Sequence, residues 1–126
     1  GFDRDQVHAE LEAMKLKLND QISSANRLKR KLEIFEQNYE TLDDRAQNTY
    51  KALMMQYESM LDEIGTYYKK LKKFEDILRT RGDGEVKVYH QVYPKTMMEL
   101  KKIQRQITQL MKCSFYVKGN NILTGE

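Results

Sequence analysis

Hydrophobic residues recur at alternating steps of four and three along the first two thirds of this chain, between Val7 and Leu78. A period of about 3.5 residues places these side chains on one stripe of an α-helix, and such a stripe must be buried against another helix. The pattern therefore predicts a coiled coil. The first run consists of Val7, Leu11, Met14, Leu18, Ala25, Leu28, Leu32, Phe35, Tyr39, Leu42 and Ala46, with Gln21 at the one polar position.

The stripe changes register once, because the residue after Ala46 that continues it is Tyr50 rather than Thr49. Either one continuous helix contains a stutter, or two helices form an antiparallel hairpin that turns near residues 41–45. Asp44 followed by Gln47 fits a capping box and favours the hairpin, whereas the absence of Gly and Pro from residues 40–46 favours a continuous helix. The periodicity by itself leaves both open. The second run consists of Tyr50, Leu53, Tyr57, Met60, Ile64, Tyr67, Leu71, Phe74 and Leu78.

The stripe also supplies the candidate interaction residues, which we expect to form a packed core or an interface between helices. Gly65 lies within the second arm, and a glycine at this position is expected to let a neighbouring backbone or ring come close. The strongest candidates are Leu11, Leu18, Leu28, Leu32, Phe35, Leu53, Tyr57, Ile64, Leu71 and Phe74.

Beyond a glycine-rich helix stop at residues 81–84, the period changes to two. Val86, Val88, His90 and Val92 alternate with more polar residues and predict a strand that Pro94 ends. Residues 96–112 fit either a helix or a strand. Further along, the pattern predicts a strand at 113–117, a turn at 118–121 and a last short strand at 122–124.

With 126 residues, 33% of them charged, the chain forms one domain with a thin core. A helical arm of this kind needs a partner, so we expect association with another protein or a homodimer. Two basic clusters could instead bind nucleic acid, but 22 basic and 19 acidic residues leave a net charge of only +3, which argues against a dedicated binder. The clusters are Arg27, Lys29, Arg30 and Lys31, and Lys69, Lys70, Lys72 and Lys73.

No group of residues has the spacing that catalysis requires. His8 and His90 form no metal-ligand pattern, Cys113 has no neighbouring base, and there is no phosphate-binding loop. We therefore predict neither enzyme activity nor a cofactor or metal. The single cysteine indicates a reducing compartment, and no apolar run approaches the roughly 18 residues that cross a membrane, so a cytoplasmic location without membrane attachment is expected.

The segment EVKVYHQVYP, residues 85–94, resembles the flagellar assembly protein A (FapA) family of bacteria. That family carries a pattern close to V-x-V-x-x-x-V-Y-P-G, although Lys95 stands where the glycine is usual. Met98-Glu-Leu100 is similar to the family's next alternating segment, and residues 115–125 are similar to its aromatic strand and glycine turn. The resemblance implies a helical hairpin inserted into the end of a right-handed parallel β-helix.

The pattern and the resemblance together predict an α+β fold, with a long antiparallel helical hairpin over residues 1–82 and the β-strand end of a β-helix over 83–126. The predicted function is a non-enzymatic structural or interaction module of a cytoplasmic bacterial scaffold protein related to flagellar assembly. Gly1 at the start suggests a fragment of a longer protein. The alternative is a coiled-coil module that binds nucleic acid, or another adaptor, through the two basic clusters.

Overall fold

Three helices account for most of the chain. The computed structural model describes residues 4–80 and 84–125. Helix α1 spans Arg4–Gln37, α2 spans Asp44–Thr80 and α3 spans Gly84–Met111, with one turn of 3-10 helix at Tyr39–Thr41. An irregular C-terminal segment, residues 112–125, follows α3.

Helices α1 and α2 form the antiparallel hairpin, so that half of the fold prediction is confirmed. The turn is stabilised by Asp43, whose Oδ1 accepts a hydrogen bond from the Ala46 N–H at 2.8 Å and caps the start of α2. Gln47 reaches back and donates from Nε2 to the Leu42 carbonyl at 3.1 Å. The cap is thus one residue earlier than the predicted Asp44. Near the turn, the rings of Phe35 and Tyr50 pack with centroids 5.9 Å apart.

Helix α3 returns along both arms of the hairpin and completes a three-helix bundle, which makes the predicted α+β fold wrong. The predicted strand at residues 86–92 lies inside α3, as do residues 96–111, whose pattern fits either a helix or a strand. No residue of the ranges 4–80 and 84–125 is in a strand. Residues 96–111 are helical because their apolar side chains recur at steps of three and four, which places them on one face of α3, buried against the hairpin. These side chains are Leu100, Ile103, Ile107 and Leu110.

The sequence before these residues also fits a helix. Val86, Tyr89, Tyr93 and Met97 precede Leu100 at steps of three or four, so the alternation of valines coexists with a helical repeat. Strand propensity depends strongly on having a neighbouring strand, whereas a helix satisfies its own backbone hydrogen bonds. Of the predicted helix stop at residues 81–84, residues 81–83 lie outside the described residues and Gly84 begins α3. The side chains of His8 and His90 also lie outside the described part of the chain.

The C-terminal segment was predicted as two strands and a turn, and this is also wrong. Phe115, Tyr116 and Ile122 are buried, so the apolar residues of the segment pack on the helices instead of pairing with a second strand. The backbone turns at Gly119 and Gly125, whose φ angles of 72° and 83° lie in the left-handed region that glycine adopts without strain. The segment therefore belongs to the same core as the three helices.

Candidate interaction surface

Most of the described side chains of the predicted stripe lie in the core of the bundle or pack against it. Phe35, Leu53 and Phe74 are partly buried and pack against that core. Phe35 and Leu53 thus contribute to the bundle from within, whereas Phe74 also lines an open groove between α1 and α2. The predicted interaction residues that are buried are Leu11, Leu18, Leu28, Leu32, Tyr57, Ile64 and Leu71.

Two tyrosines of α2 attach α3 to the hairpin by hydrogen bonds inside this core. Tyr57 is completely buried and donates from its hydroxyl to the Leu110 carbonyl near the end of α3. Burial, followed by its proximity to Cys113, raises the pKa of the Tyr57 phenol far above its ordinary value, so it remains a donor across the physiological range. Tyr68 accepts a hydrogen bond from Gln104 Nε2. Tyrosine therefore suits these stripe positions because it fills the core and also bonds to the third helix.

A buried ion pair connects α1 with α3. Lys15 is only 5% exposed, and its ammonium donates to Glu12 of the same helix at 2.6 Å and to Glu99 of α3. Burial lowers the pKa of Lys15, but the two carboxylates outweigh it and hold that pKa above the ordinary value. The sequence signal was weak, because Lys15 sits beside the stripe and its partner lies 84 positions away.

The C-terminal segment runs along α2 in the direction of that helix. The Phe115 ring meets Tyr57 edge-on with centroids 5.5 Å apart, Lys118 pairs with Asp62 at 2.9 Å, and Ile122 contacts Gly65. A Cβ built at Gly65 would lie 2.6 Å from the Ile122 carbonyl oxygen, which is too close for any side chain. The glycine therefore serves the close approach that the sequence suggested.

A groove of about 480 Å³ lies between α1 and α3 and is lined by polar and apolar side chains. Glu12 and Lys102 bring opposite charges to it, and Ile22 and Ile103 close its base. Gln106 also lines the groove, and its Oε1 is buried without a hydrogen-bond partner. Leu16 and Met98, the sequence neighbours of the Lys15–Glu99 pair, are 63% and 72% exposed.

A second groove, of about 430 Å³, lies between α1 and α2. Its apolar floor consists of Ala13, Met14, Phe74 and Ile77, and charged residues Glu10, Lys70 and Lys73 stand at its rim. Sequence reasoning counted Phe74 as core and did not predict this groove. Which sides of a hairpin remain open depends on where the third helix packs, and the sequence did not reveal that.

The two predicted basic clusters are separate on the bundle. Phe35 packs on Tyr50 and Lys17 lies over the ring of Tyr67, and with this register and a rise of 1.5 Å per residue the centres of the clusters are about 20 Å apart along the hairpin. In the first cluster Lys29 donates to the Gln109 carbonyl at 2.7 Å and Arg27 donates to Ser24 at 3.0 Å. In the second, Lys72 pairs with Glu75 at 3.2 Å. Several of these cations thus have structural roles, and the clusters do not form one basic strip.

The single cysteine of the chain follows the end of α3. Cys113 is half-buried, its Sγ lies 3.7 Å from the Leu110 carbonyl, and burial raises the pKa of its thiol, which disfavours the reactive thiolate. In the described part of the chain, no group of three or more His, Cys, Asp or Glu side chains is arranged to hold a metal ion. Among the described helices, none is both long and apolar enough to cross a membrane.

This arrangement defines the class of protein, a helical bundle built on a long hairpin and bearing open grooves. A family model described as the Flagellar Assembly Protein A beta solenoid domain matches residues 1–122, nearly the whole chain. The chain therefore belongs to the FapA family, as the resemblance of residues 85–125 predicted. It matches no curated protein and no solved structure. The family description names a β-solenoid, whereas this chain is helical through most of its described residues.

Proposed function

We propose that this chain is a non-enzymatic interaction module of a cytoplasmic bacterial scaffold protein that acts in flagellar assembly. The family match supports the link with flagellar assembly. The scaffold role is supported by the buried polar side chains Lys15, Tyr57 and Tyr68, because each of them connects α3 to the hairpin by a hydrogen bond or an ion pair. A module with this construction presents surfaces to other molecules and has no need of a reacting group.

The observation that carries the proposal is the exposure of large apolar side chains on the outside of the bundle. Leu16 is 63% exposed and lines the groove between α1 and α3, and Met98 of α3, 72% exposed, directly precedes the groove residue Glu99 in the sequence. Apolar side chains that adjoin a groove mark contact surfaces more often than isolated ones do. The groove between α1 and α3 is therefore the proposed site of association.

We expect this face to form a homodimer. The exposed carboxylate of Glu12 and the exposed ammonium of Lys102 line the same groove. A two-fold axis can bring Glu12 of one copy to Lys102 of the other and repeat the contact in the opposite sense. Because α3 already covers the apolar stripe, the dimer uses this outer face and leaves the core of each copy intact.

Sedimentation velocity over a dilution series tests the proposal. The parent chain should dissociate with decreasing concentration, and the double variant Leu16→Glu with Met98→Glu should weaken the dimer by about a hundredfold, because two charges would be buried in the contact. The matched control is Met55→Glu with Val117→Glu, which changes two residues of equal exposure elsewhere and should leave the dimer unchanged.

A parent chain that is monomeric at every concentration would contradict the homodimer. Equal weakening by the control pair would show that the α1–α3 face is not the site. If the chain instead binds a polyanion such as single-stranded DNA, with affinity that falls steeply as salt rises, the nucleic-acid alternative would replace the proposal.

A further inference from the structure

The groove between α1 and α2 combines an apolar floor with a basic rim. Met14 and Phe74 are half-buried in its floor, and Ile77 is 50% exposed. Lys70 and Lys73 stand along one side. The groove faces away from both α3 and the C-terminal segment, which pack against other sides of α2 through Tyr68 and Gly65.

Three lysines give this face a positive charge. The ring of Tyr67 lies between Lys17 of α1 and Lys70 of α2, with the two Nζ atoms 4.7 Å and 5.9 Å from the ring centroid. Lys73 follows Lys70 by one turn. Among the described residues, no carboxylate lies within 4.0 Å of the ammonium of any of the three, in contrast to Lys15, Lys72 and Lys118. Their charge is therefore available to a partner.

The combination selects the chemistry of that partner. An amphipathic helix places an apolar stripe into a groove of this kind, and carboxylates that flank the stripe then meet the lysine rim. Nucleic acid could pair its phosphates with the lysines, but its sugar–phosphate backbone has no apolar surface to pack on the floor of the groove. Glu10 is the one acidic residue of the lining and accepts from Gln6 at 3.5 Å.

We infer that the groove bounded by Met14, Phe74 and Ile77, with Lys70 and Lys73 at its rim and Lys17 nearby on the Tyr67 ring, binds an acidic amphipathic helix of another protein. This inference rests on the proposed role as an interaction module and supplies a second surface with a defined partner class. A scaffold that forms a homodimer through α1 and α3 can then hold one such helix on each copy.

The probe is a fluorescein-labelled peptide of about five helical turns that has leucine along one face and glutamate on both flanks. Its binding to the full chain is followed by anisotropy at an ionic strength of about 0.1 M. The double variant Lys70→Glu with Lys73→Glu should weaken binding by about tenfold or more, because two attractive charges become repulsive. Ile77→Ser should weaken it independently by removing part of the floor.

The matched control is Lys31→Glu with Lys51→Glu, which makes the same charge change at exposed positions nearer the turn and should alter affinity by less than about twofold. A scrambled peptide of identical composition, without the leucine face, should bind far more weakly. Equal binding of the scrambled peptide, or equal loss in the control variant, would overturn the inference and show attraction by net charge alone.

Two further measurements complete the test. The first is binding of the parent chain to vesicles that contain anionic lipid. If the parent chain binds these vesicles but not the peptide, and Lys70→Glu with Lys73→Glu abolishes vesicle binding, the face belongs to a membrane surface and the inference is overturned. Sedimentation of the parent chain distinguishes this outcome from failure of the proposed function. If the parent chain dimerises but does not bind the peptide, only the α1–α2 site is wrong.

Discussion

Ile122 of the C-terminal segment lies directly against Gly65 of α2, with its carbonyl oxygen 2.6 Å from the point where a Cβ would stand. The contact joins two residues that are far apart in the sequence and attaches the end of the chain to the middle of its longest helix. It also explains why a glycine is retained in a helix interior, where it costs about 1 kcal/mol relative to alanine.

Gly65→Ala should therefore release the C-terminal segment. Helix propensity alone would stabilise the variant by about 1 kcal/mol, but the methyl group collides with the Ile122 backbone, so we expect a net loss of about 1–3 kcal/mol. Chemical denaturation measures the loss, and hydrogen exchange should show reduced protection at residues 115–122. Ser59→Ala, at an exposed position of α2, is the control. A stabilised Gly65→Ala variant would contradict the contact.

The buried stripe should dominate stability. Leu32→Ala and Leu71→Ala each remove a completely buried side chain and should cost about 2–5 kcal/mol in free energy of unfolding. Leu53→Ala should cost less, because Leu53 is only partly buried. Leu16→Ala, at 63% exposure, should change stability by less than about 0.5 kcal/mol. Urea denaturation provides the comparison, and small losses at both buried sites would show that α3 does not cover the stripe.

The Tyr57 hydroxyl should contribute through its hydrogen bond to the Leu110 carbonyl. Tyr57→Phe keeps the ring and removes the donor, so the buried carbonyl loses a partner and the expected cost is about 1–3 kcal/mol. Tyr39→Phe, at a 42% exposed position near the turn, should be almost neutral. Equal effects in the two variants, measured by guanidinium denaturation, would show that the Tyr57 hydrogen bond adds nothing.

Lys15 should make a contribution to stability that is lost only at alkaline pH. Its pKa is higher in the folded state than the ordinary 10.5, so folding favours the protonated form and the stabilisation is complete below about pH 10. It disappears as the pH rises through the folded-state pKa. Lys15→Met has a similar volume and lacks the charge, and it should be less stable than the parent chain by about 1–2 kcal/mol at neutral pH.

The measurement is the difference in free energy of unfolding between parent and Lys15→Met from pH 7 to pH 11. Titration of the tyrosines occurs in both proteins and cancels in the difference. The gap should stay constant to about pH 10 and narrow above it. A gap that widens with rising pH would show that burial outweighs the carboxylates of Glu12 and Glu99 and that the pKa of Lys15 is depressed.

The sequence determined the two long helical stretches because helical periodicity is local, but it left open whether they continue as one helix or turn back as a hairpin. Each step of three or four reports the position of one side chain on its own helix, and the shift from Ala46 to Tyr50 marked the place where two helices meet out of register. The turn then followed from short-range capping by Asp43 and Gln47. The letters of residues 85–125 likewise sufficed for the family, although not for the strands that the family suggested.

Only the tertiary structure decided the last third of the chain and the surfaces. The valines between residues 86 and 92 alternate as in a strand, yet an isolated strand leaves its backbone groups unpaired, whereas a helix bonds internally and can bury Leu100 and Ile107 on the hairpin. The pairing of Lys15 with Glu99 and the approach of Ile122 to Gly65 join residues far apart in sequence. No local pattern encodes such contacts, because they depend on how α3 and the C-terminal segment pack, and that packing also decides which grooves remain open.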